Sequence, residues 1–443
     1  MFLEELKKAA VEIQNISGKK PIKVISHFDT DGITSATIFT KALQRKNIKF
    51  SLQILKNLDE EYIKNLSDEQ TIIFLDLASN SLEDLKDKKT DIFIFDHHEI
   101  IQEIPSNVRM INPTLDGSEQ ICSSAIAYLF AKNLSESNKD LANISLLGMI
   151  GDNHEKNLGK IYSEIIQDSE VVIKKGILIY PSTRPLDRVL EYCSNPYIPG
   201  VSGSYSGVLE LLRDAKITKQ NNAFKSIHEL NEEEMINLVT AIMLRIIGRK
   251  ATEELIGNIY LIKFFNKLED ARELSAMINA CSRMDSPETA IGFCMGSRVF
   301  KEKAEKLYIN YRQHIISALK YIQESEKITG NKYTIINAKD KIKDTIIGTV
   351  ASIISHSKTY EEGTMIIALA YNNDKIKVSA RISGKEGRNA REILNKIVIP
   401  LGGEVGGHPS AAGCMISREK EDIFIGELVK VLEIEQINPN NKV

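Results

Sequence analysis

The run Ile92-Phe93-Ile94-Phe95, followed at once by Asp96-His97-His98, decides the fold. Four apolar, β-favouring residues without polar alternation describe a strand buried on both faces, as in a parallel sheet covered by helices. Groups placed directly behind such a strand lie at its carboxyl end, where open α/β sheets bind their ligands. Two earlier stretches repeat the arrangement: Ile22-Lys23-Val24-Ile25-Ser26 runs into His27-Phe28-Asp29-Thr30-Asp31-Gly32, and Ile72-Ile73-Phe74-Leu75 runs into Asp76. Three strands thus aim carboxylates and imidazoles at one edge.

Outward from these strands, alternating strand and helix predict parallel βαβ winding over residues 1–156. Ile33, Ala36, Phe39 and Leu43 suit a helix packed on the sheet, and Phe50–Leu55 reads as the next strand. Residues 81–88 read as a short polar helix and 109–113 as a further strand. A helix over 123–131 is entered through Cys122-Ser123-Ser124, and another over 141–150 runs into Gly151-Asp152-Asn153-His154. From 157 to 330 the periodicity is helical, clearest at 232–249 and 305–322. In the latter, Leu307, Tyr311, Ile315, Ala318, Leu319 and Ile322 form a stripe that core packing explains. Two prolines and three glycines mark 195–207 as a loop. An α/β order returns over 331–443, with strands at 333–337, 364–371 and 375–382 and helices at 346–355, 389–398 and 421–432. Between the last two helices, residues 402–413 are so rich in glycine that a loop with backbone amides open to an anion is expected.

A chain of 443 residues exceeds one ordinary core, which makes it multidomain. Hydrophobic residues at 42% and charged residues at 26% are those of a soluble globular protein, and no apolar run is long enough to span a bilayer. The charged amphipathic start Met1-Phe2-Leu3-Glu4-Glu5-Leu6-Lys7-Lys8 is unlike a signal peptide, so a cytoplasmic location away from membranes is expected. Five scattered cysteines among apolar neighbours suit reduced core thiols better than disulfides or a zinc site. A net charge of −3 excludes a general basic coat, so any polyanion must be held by a local patch or by metal ions.

If strand geometry persists past Ser26, then His27, Asp29 and Asp31 project from one face. Asp76, Asp96, His97 and Asp152 bring the potential ligands to seven. Carboxylates so crowded repel one another and resist ionisation unless cations lie among them. Oxygen ligands with a few imidazoles and no thiolate favour two Mn²⁺ ions, or Mg²⁺, ahead of zinc. Two ions about 3.5–4 Å apart can clamp a phosphoryl group for in-line attack. Taken singly, each residue has a plainer reading: an Asp at a strand end commonly caps a helix, as Asp31 would cap one starting at Ile33, and adjacent histidines are usually surface groups. Their joint occurrence at successive strand ends favours a metal centre. Farther on, residues 375–396 carry seven basic against two acidic residues. Such runs are usually solvated faces, and Lys385, Arg388 and Lys396 fit that reading. Arg381 is set apart by the Gly-rich stretch and by sharing a strand face with Ser379 and Ser383, where its fork suits phosphate.

These residues resemble the DHH phosphoesterases, and within them the RecJ-like exonucleases. His27-Phe28-Asp29-Thr30-Asp31-Gly32 resembles the first family motif, Asp76 the second, Asp96-His97-His98 the third and Gly151-Asp152 the fourth. Gly406-Gly407-His408-Pro409-Ser410-Ala411-Ala412-Gly413 resembles the signature of the DHHA1 substrate-binding domain. Stretches such as Asn279-Ala280-Cys281-Ser282-Arg283-Met284 resemble the archaeal, GINS-associated branch.

The resemblance implies a DHH catalytic domain over 1–156, a mostly helical connector over 157–330 and a DHHA1 domain over 331–443, as two lobes facing a cleft. It implies two Mn²⁺ ions held by His27, Asp29, Asp31, Asp76, Asp96, His97 and Asp152, with Asp76 bridging. Asp31, Asp96 and His98 are the expected catalytic residues. Arg381, Ser379, Gly406, Gly407, His408 and Ser410 would hold the substrate end. The implied activity is exonucleolytic cleavage of single-stranded DNA or RNA, in replication, repair or RNA processing. Hydrolysis of short oligonucleotides or other small phosphodiesters is an alternative, as is a scaffold role beside GINS and the replicative helicase. One departure from bacterial members is His27, where they often carry Asp.

Overall fold

The structure, a computed structural model, describes residues 2–434 apart from Ser17, Lys19, Asn157, Ser194, Asn195, Tyr197, 247–254, Lys358 and Lys385. Asn195, Tyr197, Arg249 and Lys385, on which parts of the sequence reading rest, lie outside the described residues. The chain divides into two compact units, Met1–Tyr308 and Ile309–Val443.

The first unit begins with α1 (Phe2–Ile16), β1 (Ile22–His27), α2 (Thr30–Arg45), β2 (Phe50–Leu55), α3 (Glu60–Lys64), β3 (Thr71–Leu75) and α4 (Leu82–Leu85). It continues through β4 (Ile92–Phe95), β5 (Val108–Ile111), α5 (Ser123–Leu134) and α6 (Ala142–Gly151). All five strands are parallel, in the order β2-β1-β3-β4-β5. Successive crossovers run to opposite sides of β1, so a crevice opens between the carboxyl ends of β1 and β3.

The strands are apolar throughout because alternate residues serve two cores. Val24, Ile73, Leu75, Phe93 and Phe95 pack with residues of α2, α5 and α6, whereas Ile25, Ile72, Phe74, Ile92 and Ile94 pack with Ile63, Leu82 and Leu85. Phe39 of α2 stacks on Phe130 of α5 at 4.2 Å, and Phe95 meets both rings edge-on. Buried Thr34, Thr37 and Thr40 satisfy their hydroxyls on carbonyls one turn back, which lets α2 sit in the core with polar residues.

Strand geometry does not persist past His27, which corrects the expectation of a shared strand face. Asp29 is the N-cap of α2, accepting from the Gly32 amide at 3.0 Å, and Asp31 stands in the first helical turn. An Asx cap satisfies an orphan amide that an extended chain would leave open, and the backbone turns there. Helix α2 must then leave close beside β1: a Cβ on Gly32 would lie 2.2 Å from the His27 carbonyl oxygen.

The remainder of the unit comprises α7 (Lys160–Asp168), β6 (Val172–Ile177), α8 (Leu186–Glu191), α9 (Tyr205–Asp214), α10 (Glu232–Ile246), β7 (Ile256–Phe264), β8 (Lys267–Asp270), α11 (Ala271–Arg283) and α12 (Pro287–Cys294). Helical order dominates, as the periodicity predicts, but β6, β7 and β8 form a small antiparallel sheet that it does not. Around this sheet lies a separate core that includes Ile177, Leu190, Leu211, Leu238 and Leu261. The predicted loop over 195–207 ends early, because Ser204 caps α9 through the Gly207 amide. The boundary between the units falls within α13 (Arg298–Glu324).

The second unit carries β9 (Ile328–Gly330), β10 (Tyr333–Asn337), α14 (Asp344–His356), β11 (Met365–Asn372), β12 (Lys375–Ile382), α15 (Ala390–Val398), β13 (Val405–His408), β14 (Ala411–Ser417) and α16 (Glu421–Ile434). Its sheet runs β13-β14-β12-β11-β10-β9, antiparallel except for β10 beside β11. Ile376, Val378, Ala380 and Ile382 pack under α15 and α16, leaving the alternate residues of β12 for the other face. The Gly-rich stretch is a hairpin and not an open loop: Gly406 pairs with Gly413 and Gly407 with Ala412, with Pro409 and Ser410 at the turn. Glycine is required at 407, where φ is +111° and a Cβ would lie 2.3 Å from the Ala411 carbonyl oxygen.

All five cysteines are buried free thiols. Among the described residues no helix is long and apolar enough to cross a membrane.

Gly32→Ala tests the close packing of α2 on β1. Urea unfolding followed by circular dichroism is expected to show a loss of about 1–3 kcal/mol, the usual cost of forcing extra volume into a packed site.

Candidate metal centre

The carboxyl ends of β1, β3 and β4 deliver His27, Asp76 and Asp96, while the start of α2 brings Asp29 and Asp31 and the end of α6 brings Asp152. Ligand atoms of three overlapping groups each lie within 4.8 Å of one another: His27, Asp29 and Asp76; Asp76, Asp96, His97 and His98; His97, Asp152 and His154. Asp76 belongs to the first two. One of its oxygens is 3.3 Å from His27 Nδ1 and the other 3.5 Å from His97 Nε2, so a single carboxylate faces two neighbouring positions. His97 Nε2 is also 3.3 Å from an Asp152 oxygen. Asp76 has φ of +58°, a conformation uncommon for a side chain-bearing residue and typical of strain held at functional sites.

Asp31 falls outside those three groups, although its Oδ2 lies 3.9 Å from His97 Nε2. Its carboxylate accepts the Ser123 and Ser124 amides at 2.7 and 2.8 Å, the orphan donors at the start of α5, where a helix favours negative charge. Asp96 is equally engaged. Ser79 Oγ donates to one oxygen at 2.6 Å, and His98 Nδ1 lies 2.7 Å from the other. His98 is thereby oriented by Asp96, and Ser123 Oγ donates to Asp76 at 3.0 Å. Ser79, Ser123 and Ser124 carry the second layer of the site, and sequence reasoning gave them no part. The only trace was the run of small residues before α5. His154 was likewise passed over, although its spacing from Asp152 is short.

Charge is balanced here by protons. Burial opposes a charge on His27 and His97, yet the facing carboxylates prevail: Asp29 and Asp76 hold His27 well above the usual imidazole range, and Asp76, Asp31 and Asp152 raise His97 to about 10. Burial, then Asp76, pushes Asp31 up to about 7, and burial with Asp31 and Asp29 holds Asp152 well above the carboxylate range. Against burial, His27 keeps Asp29 low and His98 keeps Asp96 low. His154 is held below its usual value by burial and by His97.

The residues fit a divalent cation. Buried His27 Nδ1 has no hydrogen bond of acceptable geometry although carboxylate oxygens lie at 3.1 and 3.3 Å, an arrangement of ligand atoms about a point and not of donor on acceptor. Oxygen and imidazole ligands without thiolate suit hard to borderline ions.

In the second unit, strand register gathers the predicted substrate residues. Arg381 is opposite Ala411, which is opposite His408; Ser379 is opposite Gly413, which is opposite Gly406. Residues directly opposite across a sheet share a face, so Arg381, Ser379, His408 and Gly406 lie on one side. Gly407 belongs to the alternate position, and Ser410 is exposed at the turn. Ser379 is buried, whereas Arg381 donates through Nε to Ser352 Oγ of α14 at 2.9 Å and through Nη1 to the Ala380 carbonyl at 2.8 Å. Its guanidinium is therefore fixed by neighbours on the protein.

A parallel sheet with carboxylates and imidazoles at its switch point, followed by a separate sheet unit, defines a DHH-superfamily protein, and the chain belongs to that phosphoesterase superfamily. It matches the DHH family N-terminal domain over residues 21–149, the DHH-CID domain over 179–259 and the DHHA1 domain over 330–433. Its fold resembles those of RecJ and CDC45. An uncharacterized protein of Methanocaldococcus jannaschii is 26% identical over 456 aligned positions, covering 97% of this chain and 98% of that one. RecJ from Thermus thermophilus, solved in complex with Mn²⁺, shares the fold at a TM-score of 0.59 and 16% identity, covering 97% of this chain. The chain spans 55% of that RecJ. CDC45 from Entamoeba histolytica shares the fold at a TM-score of 0.64 and 13% identity, over 97% of this chain and 99% of that one.

A pH dependence follows from the proton balance. Raised carboxyls such as Asp31 destabilise the metal-free fold as pH rises from their ordinary 3.8 through about 7. Raised imidazoles such as His97 stabilise it fully below 6.5 and lose that contribution as pH rises through about 10. Both slopes have the same sign, and cations replace the departing protons. The rise in melting temperature on adding Mn²⁺ to EDTA-treated protein is therefore expected to be larger at alkaline than at mildly acidic pH. An increment independent of pH would contradict the proton balance. Ser79→Ala is expected to weaken Mn²⁺ binding about tenfold or more by calorimetry, since it loosens Asp96.

Proposed function

We propose that the protein is a metal-dependent exonuclease for single-stranded DNA or RNA, hydrolysing phosphodiester bonds with two divalent ions, Mn²⁺ ahead of Mg²⁺. The observation that carries this reading is Asp76, which presents one oxygen to the His27 side and the other to the His97 side. On this reading His27, Asp29 and Asp76 would hold one ion and Asp76, His97 and Asp152 the other, with Asp31 and Asp96 completing the ligand set. When bound, two such ions supply positive charge to the phosphoryl oxygens and activate water for in-line attack. Asp31 and Asp96 anchor the ligand shell, through the α5 amides and Ser79 respectively. His98, set by Asp96, faces the same ligand group and would meet the substrate phosphate.

In the second unit, Arg381, Ser379 and His408 would receive the strand end, with Gly406, Gly407 and Ser410 offering backbone beside them. The domain division 1–156, 157–330 and 331–443 is part of the same proposal: cleavage in the first segment, substrate grip in the last. A cytoplasmic role in replication, repair or RNA processing is the expected setting. A scaffold role beside a GINS-like partner is the competing reading, and retention of the whole ligand set speaks against it.

The deciding assay digests single-stranded DNA and RNA, labelled at either end, with Mn²⁺ and with EDTA. Expected are mononucleotide products with Mn²⁺ only, and a fall of about 10²-fold or more for Asp76→Ala with its fold retained. Absence of cleavage at any length of strand would favour the scaffold. Arg381→Ala is expected to raise KM by roughly 10-fold or more, the worth of a hydrogen bond to a charged group, with little change in Mn²⁺ affinity.

A further inference from the structure

The ligands taken from strand ends leave one imidazole beside the centre without a task. His154 follows Asp152 by two residues and opens a single 3₁₀ turn, His154–Lys156. A nitrogen of its ring, a nitrogen of His97 and an oxygen of Asp152 lie within 4.8 Å of one another. The ring is held on several sides. It packs edge-on against Tyr162, with 5.7 Å between centroids, and against His97 at 6.0 Å. Tyr162 is itself fixed, its hydroxyl accepting the Cys122 amide at 2.8 Å.

Held between these two rings, the imidazole keeps one nitrogen beside His97 and Asp152, and neighbours that fix a ring's orientation in this way are usual around metal-binding histidines. Beyond the ring, Glu155 pairs with Arg272 at 3.3 Å, and Arg272 donates to the Asn258 carbonyl at 3.0 Å. The turn that carries His154 is thus anchored from behind.

We propose that His154 is a ligand of the metal position formed by His97 and Asp152, and that it makes this position prefer first-row transition ions to Mg²⁺. The inference rests on the two-ion reading above and adds a ligand to it. Two imidazoles at one position make it richer in nitrogen than the position of His27, Asp29 and Asp76. Mg²⁺ demands oxygen ligands and keeps its waters, whereas transition ions accept imidazole readily. The two halves of the centre therefore differ in selectivity.

The test measures Mn²⁺ and Mg²⁺ binding by calorimetry for wild type, His154→Gln and His154→Ala, with pulsed electron paramagnetic resonance of Mn²⁺-loaded, ¹⁵N-histidine-labelled protein. His154→Gln keeps a polar side chain of similar reach, and a thermal melt reports on the fold of both variants. Expected is one Mn²⁺ position unchanged and the other weakened on the order of tenfold or more, a narrowed preference for Mn²⁺ over Mg²⁺, and loss of one histidine nitrogen coupling. Wild-type affinity, preference and couplings in both folded variants would overturn the assignment of His154 alone. A wild-type protein that takes up no ion would overturn the two-ion reading with it.

Discussion

Repulsion among buried carboxylates is the constraint on which the first unit depends. Asp29, Asp31, Asp76, Asp96 and Asp152 crowd one end of a sheet, and without compensation they would drive the crevice open. The chain answers with several kinds of positive charge. The imidazoles of His27, His97 and His98 interleave with the carboxylates, the first amides of α5 receive Asp31, and the hydroxyls of Ser79 and Ser123 fill remaining lone pairs. Cations would complete what protons do in part.

The fold makes such crowding possible because its cost falls where the sheet is strongest. Each strand ending at the centre is buried on both faces, with alternate residues committed to separate cores, so the strand ends cannot drift apart without opening both. The stacked rings of Phe39, Phe95 and Phe130 lie behind the charged edge and tie α2 and α5 to β4. Electrostatic strain is thus carried by apolar packing.

The parallel sheet was legible because a strand covered by helices on both sides must be apolar at every position, and Ile92–Phe95 has no other reading of comparable economy. Asp76, Asp96 and His97 followed from those strand ends. The meeting of His27 and Asp29 was expected for a faulty reason. Strand alternation was assumed, whereas the Asp29 side chain turns the backbone into α2, a choice set by local hydrogen bonding that periodicity does not report. The β6-β7-β8 sheet was missed because Lys174, Lys175 and Gly176 interrupt the apolar pattern of β6, and β8 is only four residues long. The hairpin at β13 and β14 was read as a loop because glycine content conceals pairing, and the pairing is visible only once Gly406 is seen opposite Gly413. Ser79 and Ser123 act through neighbours distant in the chain, and such partnerships have no spacing to betray them.

Asp31 meets two backbone amides of the protein itself. A carboxylate held by main chain keeps its place whichever side chains line the rest of the crevice, so this corner of the centre is set by the path of the backbone into α5 and tolerates change around it.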